Sequence, residues 1–357
     1  MSALSPFLRL PSWIAGFLLL GMLSACGPAA PEPPADTLRT LSFFPSDVQQ
    51  VVQLDVRQLQ EDGALTIATD DGLALRMFDE TIFSPPPLGD GSEALSFLDA
   101  AGIDLETDLH TLTVASPLMG LSGTPLAIVR LTMDREQLTE ALLAQGAHRS
   151  DELATDDVPV FTLSENNLEQ PHLALLDESH LLFGEGPDVA RALSAEERFM
   201  PSPGERALLG HAATGRSAWT VFFSLPDTEE SAARPTATPT GTQQQEPLEE
   251  QLRELRQLAS VIQQAGMGLR LTDDMMQAQL TLAAGDDAAD VRRVLRGIVS
   301  AAQSRNDLSA DQRELLERLS ITDQGRFVLV EFGGSTAVLR ELLVGGVVAG
   351  TWARQDP

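Results

Sequence analysis

The sequence predicts an α+β protein: two related antiparallel-sheet domains of the split βαβ, ferredoxin-like kind, with helices packed on one face. Three observations lead there. Apolar residues make up 43% of the 357 positions, enough for a folded body with a proper core. Short segments of strand period alternate along the chain with segments of helical period. The order strand, helix, two strands, helix, strand, helix is met twice, and residues 276–282 alternate Met, Ala, Leu, Leu with Gln, Gln, Thr, the pattern of a sheet with one covered face.

The first series opens with a strand at 51–56, followed by helices at 73–83 and 93–101 and a strand pair at 109–115 and 126–133. Asp134 has the side chain of an N-cap for a helix at 135–145. A strand at 158–163 comes next, then a hairpin at 173–183 turning at Asp177, Glu178 and Ser179, and Pro187 at the start of a helix over 188–193. The second series has a strand at 218–225, a helix at 248–265 and a hairpin of 268–272 and 276–282 turning at Asp273 and Asp274. Asp286 and Asp287 open a helix at 288–303. A helix at 310–319, a strand at 327–332 and a last segment at 336–343 complete it.

Four regions follow. Residues 1–25 read as a removable leader, 26–40 as a Pro-rich tether, 41–205 as a first α+β domain, and 206–357 as a second with a disordered insertion at about 228–247. That insertion gathers Pro235, Pro239 and three consecutive Gln at 243–245. The tether carries Pro28, Pro31, Pro33 and Pro34, with order expected from near Leu41, so it would hold the body about 30 Å from its point of attachment. No residue identity links the two halves; only the order of elements relates them.

Residues 14–22 form an apolar run of signal-peptide length behind a start that carries Arg9 and no acid, too short to cross a bilayer alone. The run ends in Leu23, Ser24, Ala25 and Cys26, a segment that closely resembles the bacterial lipobox. The resemblance implies cleavage before Cys26, a diacylglycerol thioether on its sulfur, an acyl group on the new amino terminus, and stable anchoring by two or more chains. Gly27 in the next position, by the same resemblance, implies sorting to the outer membrane, facing the periplasm. Cys26 is the sole Cys, so the body has no disulfide, thiolate nucleophile or thiolate metal site. Around Phe44-Pro45-Ser46-Asp47 and Gly102-Ile103-Asp104 the body resembles uncharacterised exported bacterial proteins, which lend it no activity.

The formal net charge is −28. Such a surface repels phosphate backbones and anionic lipid head groups, so neither nucleic acid nor electrostatic docking on a membrane is expected. Every one of the 24 basic residues is Arg, which removes the Walker-type phosphate loop, Schiff-base lysines and Ser-Lys dyads. His110, His148, His172, His180 and His211 stand at no metal-ligand spacing, and no metal or cofactor is expected. His180 lies at a hairpin turn, His110 shares a strand face with Leu112 and Val114, and the other three fall in polar loops. The acidic doublets fit caps and turns better than Ca²⁺ loops. Arg292, Arg293 and Arg296 form a small basic cluster that suits either an acidic partner or internal pairing with Asp290 and its neighbours. The expected function is a lipid-anchored envelope protein that acts by binding or scaffolding, with the membrane as partner through Cys26 and a further envelope protein as a candidate. The alternative is a periplasmic hydrolase or metal-dependent enzyme whose Asp, Glu and His are assembled only by the fold.

Overall fold

The computed structural model describes residues 30–68, 74–77, 80–83, 98–117, 125–155, 157–162, 171–194, 198–225, 260–272, 275–305, 308 and 310–335. Cys26, the segment 228–247 and the segment 336–343 lie outside these residues. In chain order the described elements are α1 (Ala35–Leu41), β1 (Gln50–Asp55), α2 (Val56–Glu61), β2 (Leu65–Ala68), β3 (Ala74–Met77), β4 (Glu80–Phe83), α3 (Leu105–Asp108), β5 (Leu109–Ser116) and β6 (Leu126–Leu131). They continue with α4 (Arg135–Ala144), β7 (His148–Arg149), β8 (Val160–Thr162), β9 (Pro171–Leu175), β10 (His180–Glu185), α5 (Gly186–Ser194), α6 (Pro203–Ala213), β11 (Ala218–Phe222), β12 (Gln264–Leu271) and β13 (Met275–Ala283). A 3₁₀ turn at Gly285–Asp287 leads into α7 (Ala288–Gln303), then α8 (Ala310–Arg318), β14 (Ser320–Gln324) and β15 (Phe327–Ser335).

Twelve of the strands join in one antiparallel sheet, ordered β14-β15-β13-β12-β11-β1-β5-β6-β10-β9-β8-β7, and β2, β3 and β4 make a separate small meander. The large sheet runs across the residue-205 boundary through the β1–β11 ladder, where Leu54 faces Ala218 and Val51 faces Val221. Outward from that ladder, and setting aside β7 and β8, each half lays its strands down as first, second, third, fifth and fourth in chain order.

Both faces of the sheet are covered, which corrects the expectation of helices on one face. Leu112, Leu54, Ala218, Leu269 and Ala278 are partners across successive strands and so share a face. On that side Val56 and Leu59 of α2, Leu105 of α3, and Leu138 and Leu142 of α4 join the core, and Ala288 and Val291 of α7 cover the β13–β15 end. The opposite side takes Leu41 of α1, Val189 and Ala192 of α5, and Leu208, Leu209 and Ala212 of α6. Strands that bury both faces read as near-continuous apolar runs: β9 and β10 bury His172 to Leu175 and His180 to Leu182 without a break.

Local signals explain most helix starts. The Asp134 carboxylate accepts from the N–H of Glu136 and Gln137 at the start of α4, and Asp55 accepts from Gln58 N–H at α2. Ser202 and Glu205 form a reciprocal capping box with Pro203 in the first turn of α6. Several sequence expectations are corrected. Part of 73–83 is strand, as β3 and β4. The predicted helix at 248–265 has given way to β12 by Gln264. Helices α1, α2 and α6 and strand β14 were not expected. Among the described residues no helix is long and apolar enough to cross a membrane.

Order also begins before Leu41. Pro33 is buried, Thr214 Oγ1 donates to Glu32 O at 3.1 Å, and the Pro31 backbone lies against Gly210 of α6, where a β-carbon would overlap it. Residues 31–34 are thus docked on α6, and 35–41 are helical. The 30 Å tether is corrected accordingly: from Cys26 to Ala30 the chain spans at most about 14 Å, at about 3.6 Å per residue.

Candidate functional site

Among the described residues polar side chains line several openings, and two of these places hold a buried or half-buried charged group. The first is the β9–β10 turn. Asp177 accepts from the N–H of Ser179 and His180 at 2.8 and 2.9 Å, from Ser179 Oγ at 3.2 Å, and contacts His180 Nδ1 at 2.9 Å. Arg39 of α1 pairs with the same carboxylate at 2.8 Å. On the other side of the ring, His180 Nε2 meets Thr40 Oγ1 at 3.3 Å, and Phe43 packs on the imidazole at 5.1 Å.

Ser, His and Asp in contact invite comparison with a nucleophilic relay. In a relay the serine and the acid occupy opposite ring nitrogens, so that a proton taken at one is balanced at the other. Here Ser179 and Asp177 share Nδ1, with Ser179 Oγ at 3.1 Å, while Nε2 is turned to Thr40 in a site where His180 is 2% exposed. The cluster is therefore a clamp between the β9–β10 turn and α1.

The Asp177 carboxyl is held at about 2. Burial pushes it up, and the Ser179 N–H, the His180 hydrogen bond and the charges of His180 and Arg39 outweigh that push. Because the folded value lies below the unfolded one, the stabilisation is complete above about pH 5 and is lost as pH falls through about 2. Asp177→Asn is expected to lower unfolding free energy at pH 7 by on the order of 2 kcal/mol and to converge with the parent near pH 2. Urea titrations at both pH values measure this; an equal deficit at pH 2 would assign the effect to packing.

The second place lies on the α6 side of the sheet near β12, β13 and β15. Arg216 follows the end of α6, half-buried, with Nη2 donating to Gln279 Oε1 at 2.7 Å. Its Nε is buried with no hydrogen-bond partner. Burial pushes the guanidinium down, Glu331 pulls it up and Arg270 pushes it down again. An opening of about 400 Å³ is lined here by Arg216, Gln277, Arg318, Ser320 and Glu331, with Met275 and Phe332 as apolar wall. Arg318 is exposed and pairs with Glu314 one helical turn back at 2.7 Å.

The Arg292, Arg293 and Arg296 cluster is brought together on α7, and each member has an internal partner. Arg292 pairs with Asp323, Arg293 with Asp290 at 2.6 Å, and Arg296 donates twice to Ile321 O, at 2.6 and 3.1 Å. The last contact has a physical purpose. Gln324 and Phe327 close a two-residue turn between β14 and β15, so ladder alternation leaves Ile321 O facing outward on an edge strand. Arg296 caps that edge carbonyl, one of the devices that keep edges from pairing with other chains.

The histidines are also relocated. His172 lies in β9 and His211 in α6, 2% and 6% exposed, not in polar loops. Burial pushes His211 below the ordinary imidazole value; His110 is lowered by burial and then by Arg130 and Arg57. Among the described residues no group of three His, Cys, Asp or Glu is arranged to hold a metal ion. Sequence reading missed Arg216 because a lone arginine after an unrecognised helix carries no motif. The capping box of Ser202 and Glu205 was the signal that would have located that helix.

Fold and sites together define an α+β protein built on one long antiparallel sheet covered from both sides. No family model matches the chain, and no curated protein matches it. Solved structures that match include three crystal forms of TP0453. Form I is 9% identical, with 85% of this chain and 96% of that chain covered at a TM-score of 0.41. Form III is 8% identical, covering 85% and 97% at 0.42, and form IV 8% identical, covering 88% and 96% at 0.40.

Proposed function

We propose that the chain is an exported bacterial envelope lipoprotein, cleaved after Ala25, anchored by lipid on Cys26 at the outer membrane facing the periplasm, and acting there by binding or scaffolding. The observation that carries this reading is the docking of residues 31–34 on α6 just after the lipobox-like segment. An anchor at Cys26 then keeps the body within about 14 Å of the lipid surface, a short leash suited to holding the protein beside an envelope partner. The turn cluster of Asp177, Ser179 and His180 supports binding over hydrolysis, since those side chains are occupied in joining β10 to α1.

The two-domain reading, with a split βαβ unit in each half, belongs to the same proposal. It is supported by β6 and β9, which are joined through α4 and both run antiparallel to the β10 between them, and by β13 and β14, which are related in the same way to β15.

The test is Cys26→Ser in the bacterium, with an alkyne fatty acid supplied for labelling. The parent is expected to take up label and sediment with outer membranes, and the variant to lose both. A parent without label, or a variant still in the membrane fraction, overturns the anchor.

A further inference from the structure

We propose that the opening at Arg216 is a binding site for a phosphate-type oxyanion. A guanidinium offers five donors in a planar fork. Arg216 uses one of them within the protein, Nη2 on Gln279, and although its Nε is enclosed by the protein the residue lines the opening. Among the described residues no carboxylate lies within ion-pair distance of Arg216, although the chain carries 52 acids. Glu331 is close enough to be felt electrostatically, yet its carboxylate accepts from Ser320 Oγ at 3.4 Å.

The surroundings extend the same chemistry. Arg318, Ser320 and Gln277 line the opening with further donors, and Arg270 adds a third positive charge nearby, against the single acid Glu331. The Glu314 pair of Arg318 is a surface i,i+4 contact, which contributes little and exchanges easily. A phosphate group, with several acceptor oxygens and up to two charges, satisfies this set better than one carboxylate can. The net charge of −28 does not decide the matter, because at physiological salt fields fade over about 8 Å and the adjacent guanidiniums dominate.

A close approach builds the site. Gly268 of β12 has no side chain, and its position is filled by Ala212 O and by Arg216 Cγ, which would stand 2.7 Å from a β-carbon there. The absence of a side chain is what lets the Arg216 stem lie flat on the sheet. Its guanidinium is thereby carried toward β13 and β15.

The phosphate has two possible sources, free phosphate or a lipid headgroup. The experiment uses the whole mature chain with Cys26→Ser, so that its result is independent of the anchor. Calorimetry and thermal melts are run with inorganic phosphate, with acetate as a carboxylate control, and flotation is measured with vesicles of phosphatidylglycerol or of phosphatidylcholine. Phosphate is expected to raise Tm and give saturable heat where acetate does not, or phosphatidylglycerol vesicles alone to carry the protein. Arg216→Gln should weaken the effect at least tenfold, with Arg216→Lys intermediate. Glu331→Gln, which leaves Arg216 intact, should tighten it severalfold. The proposal is overturned if neither phosphate nor phosphatidylglycerol binds, if acetate binds equally, or if Arg216→Gln and Glu331→Gln both leave binding unchanged.

Discussion

Gly268→Ala is expected to destabilise the protein by about 3 kcal/mol and to lower Tm by about 5 °C or more. The new methyl group would overlap Ala212 O and meet Arg216 Cγ at 2.7 Å. The obstruction is helix backbone rather than a side-chain tip, so relief requires α6 to lift from the sheet. Leu208, Leu209 and Ala212 are each 0% exposed beneath that helix, and lifting it uncovers them. Gly266→Ala, two residues earlier on the same strand, meets only the side chains of Ala212, Leu208 and Val221 at 3.1 to 3.3 Å. Its cost should be clearly smaller. Chemical denaturation of the two variants side by side checks the ranking, and a Gly268→Ala protein as stable as the parent would mean that the α6–β12 approach is looser than described.

Gly210→Leu is expected to release the segment before α1. Residue 210 lies on the outer side of α6, where the Pro31 backbone occupies the space a side chain would need, and Thr214 one turn later holds Glu32 O. Helix propensity favours the substitution by nearly 1 kcal/mol, so α6 itself should persist while residues 30–34 are displaced. The readout is hydrogen exchange, with protection lost over 30–38, where Leu38 N–H donates to Pro34 O, and retained in β11 and β12. With the proposed lipid on Cys26, the free chain from it would lengthen to nine residues, about 30 Å extended. Fluorescence transfer from Trp219 to a membrane dye, measured with Trp352→Phe in both proteins, should weaken to match. Unchanged protection over 30–38 would refute the docked segment and, with it, the short anchor.

Both predictions rest on contacts that no sequence pattern announces. The capping carboxylate Asp134, the turn at Asp177, Glu178 and Ser179, and the alternation in β13 were legible because each acts on residues within a few positions of itself. Residues 73–83 misled because Leu73, Leu75, Met77 and Phe78 suit either period over so short a stretch, and three-strand pairing decides for strand. His211 read as a loop residue because α6 was unrecognised and its ring packs on Phe327, distant in sequence, while His172 stands one position before the expected hairpin at 173–183. The arginines of α7 were visible as a cluster, whereas their consumption by Asp323, Asp290 and the Ile321 carbonyl depended on where β14 comes to lie. Arg216 was invisible for a related reason: its orphaned Nε is a property of its surroundings.

What the chain determines alone is local and covalent: the lipobox-like segment with its single cysteine, the caps, the turns, the strand periods and the exclusion of lysine chemistry. These depend on neighbours along the backbone and survive any rearrangement of the whole. The tertiary structure alone decided that one sheet passes through the middle of the chain, that helices cover both of its faces, and that a proline-rich stretch written like a tether is docked on a helix. Those outcomes hinge on long-range backbone approaches at Gly210 and Gly268, where the deciding feature is a missing side chain, and a missing side chain has no periodicity to read.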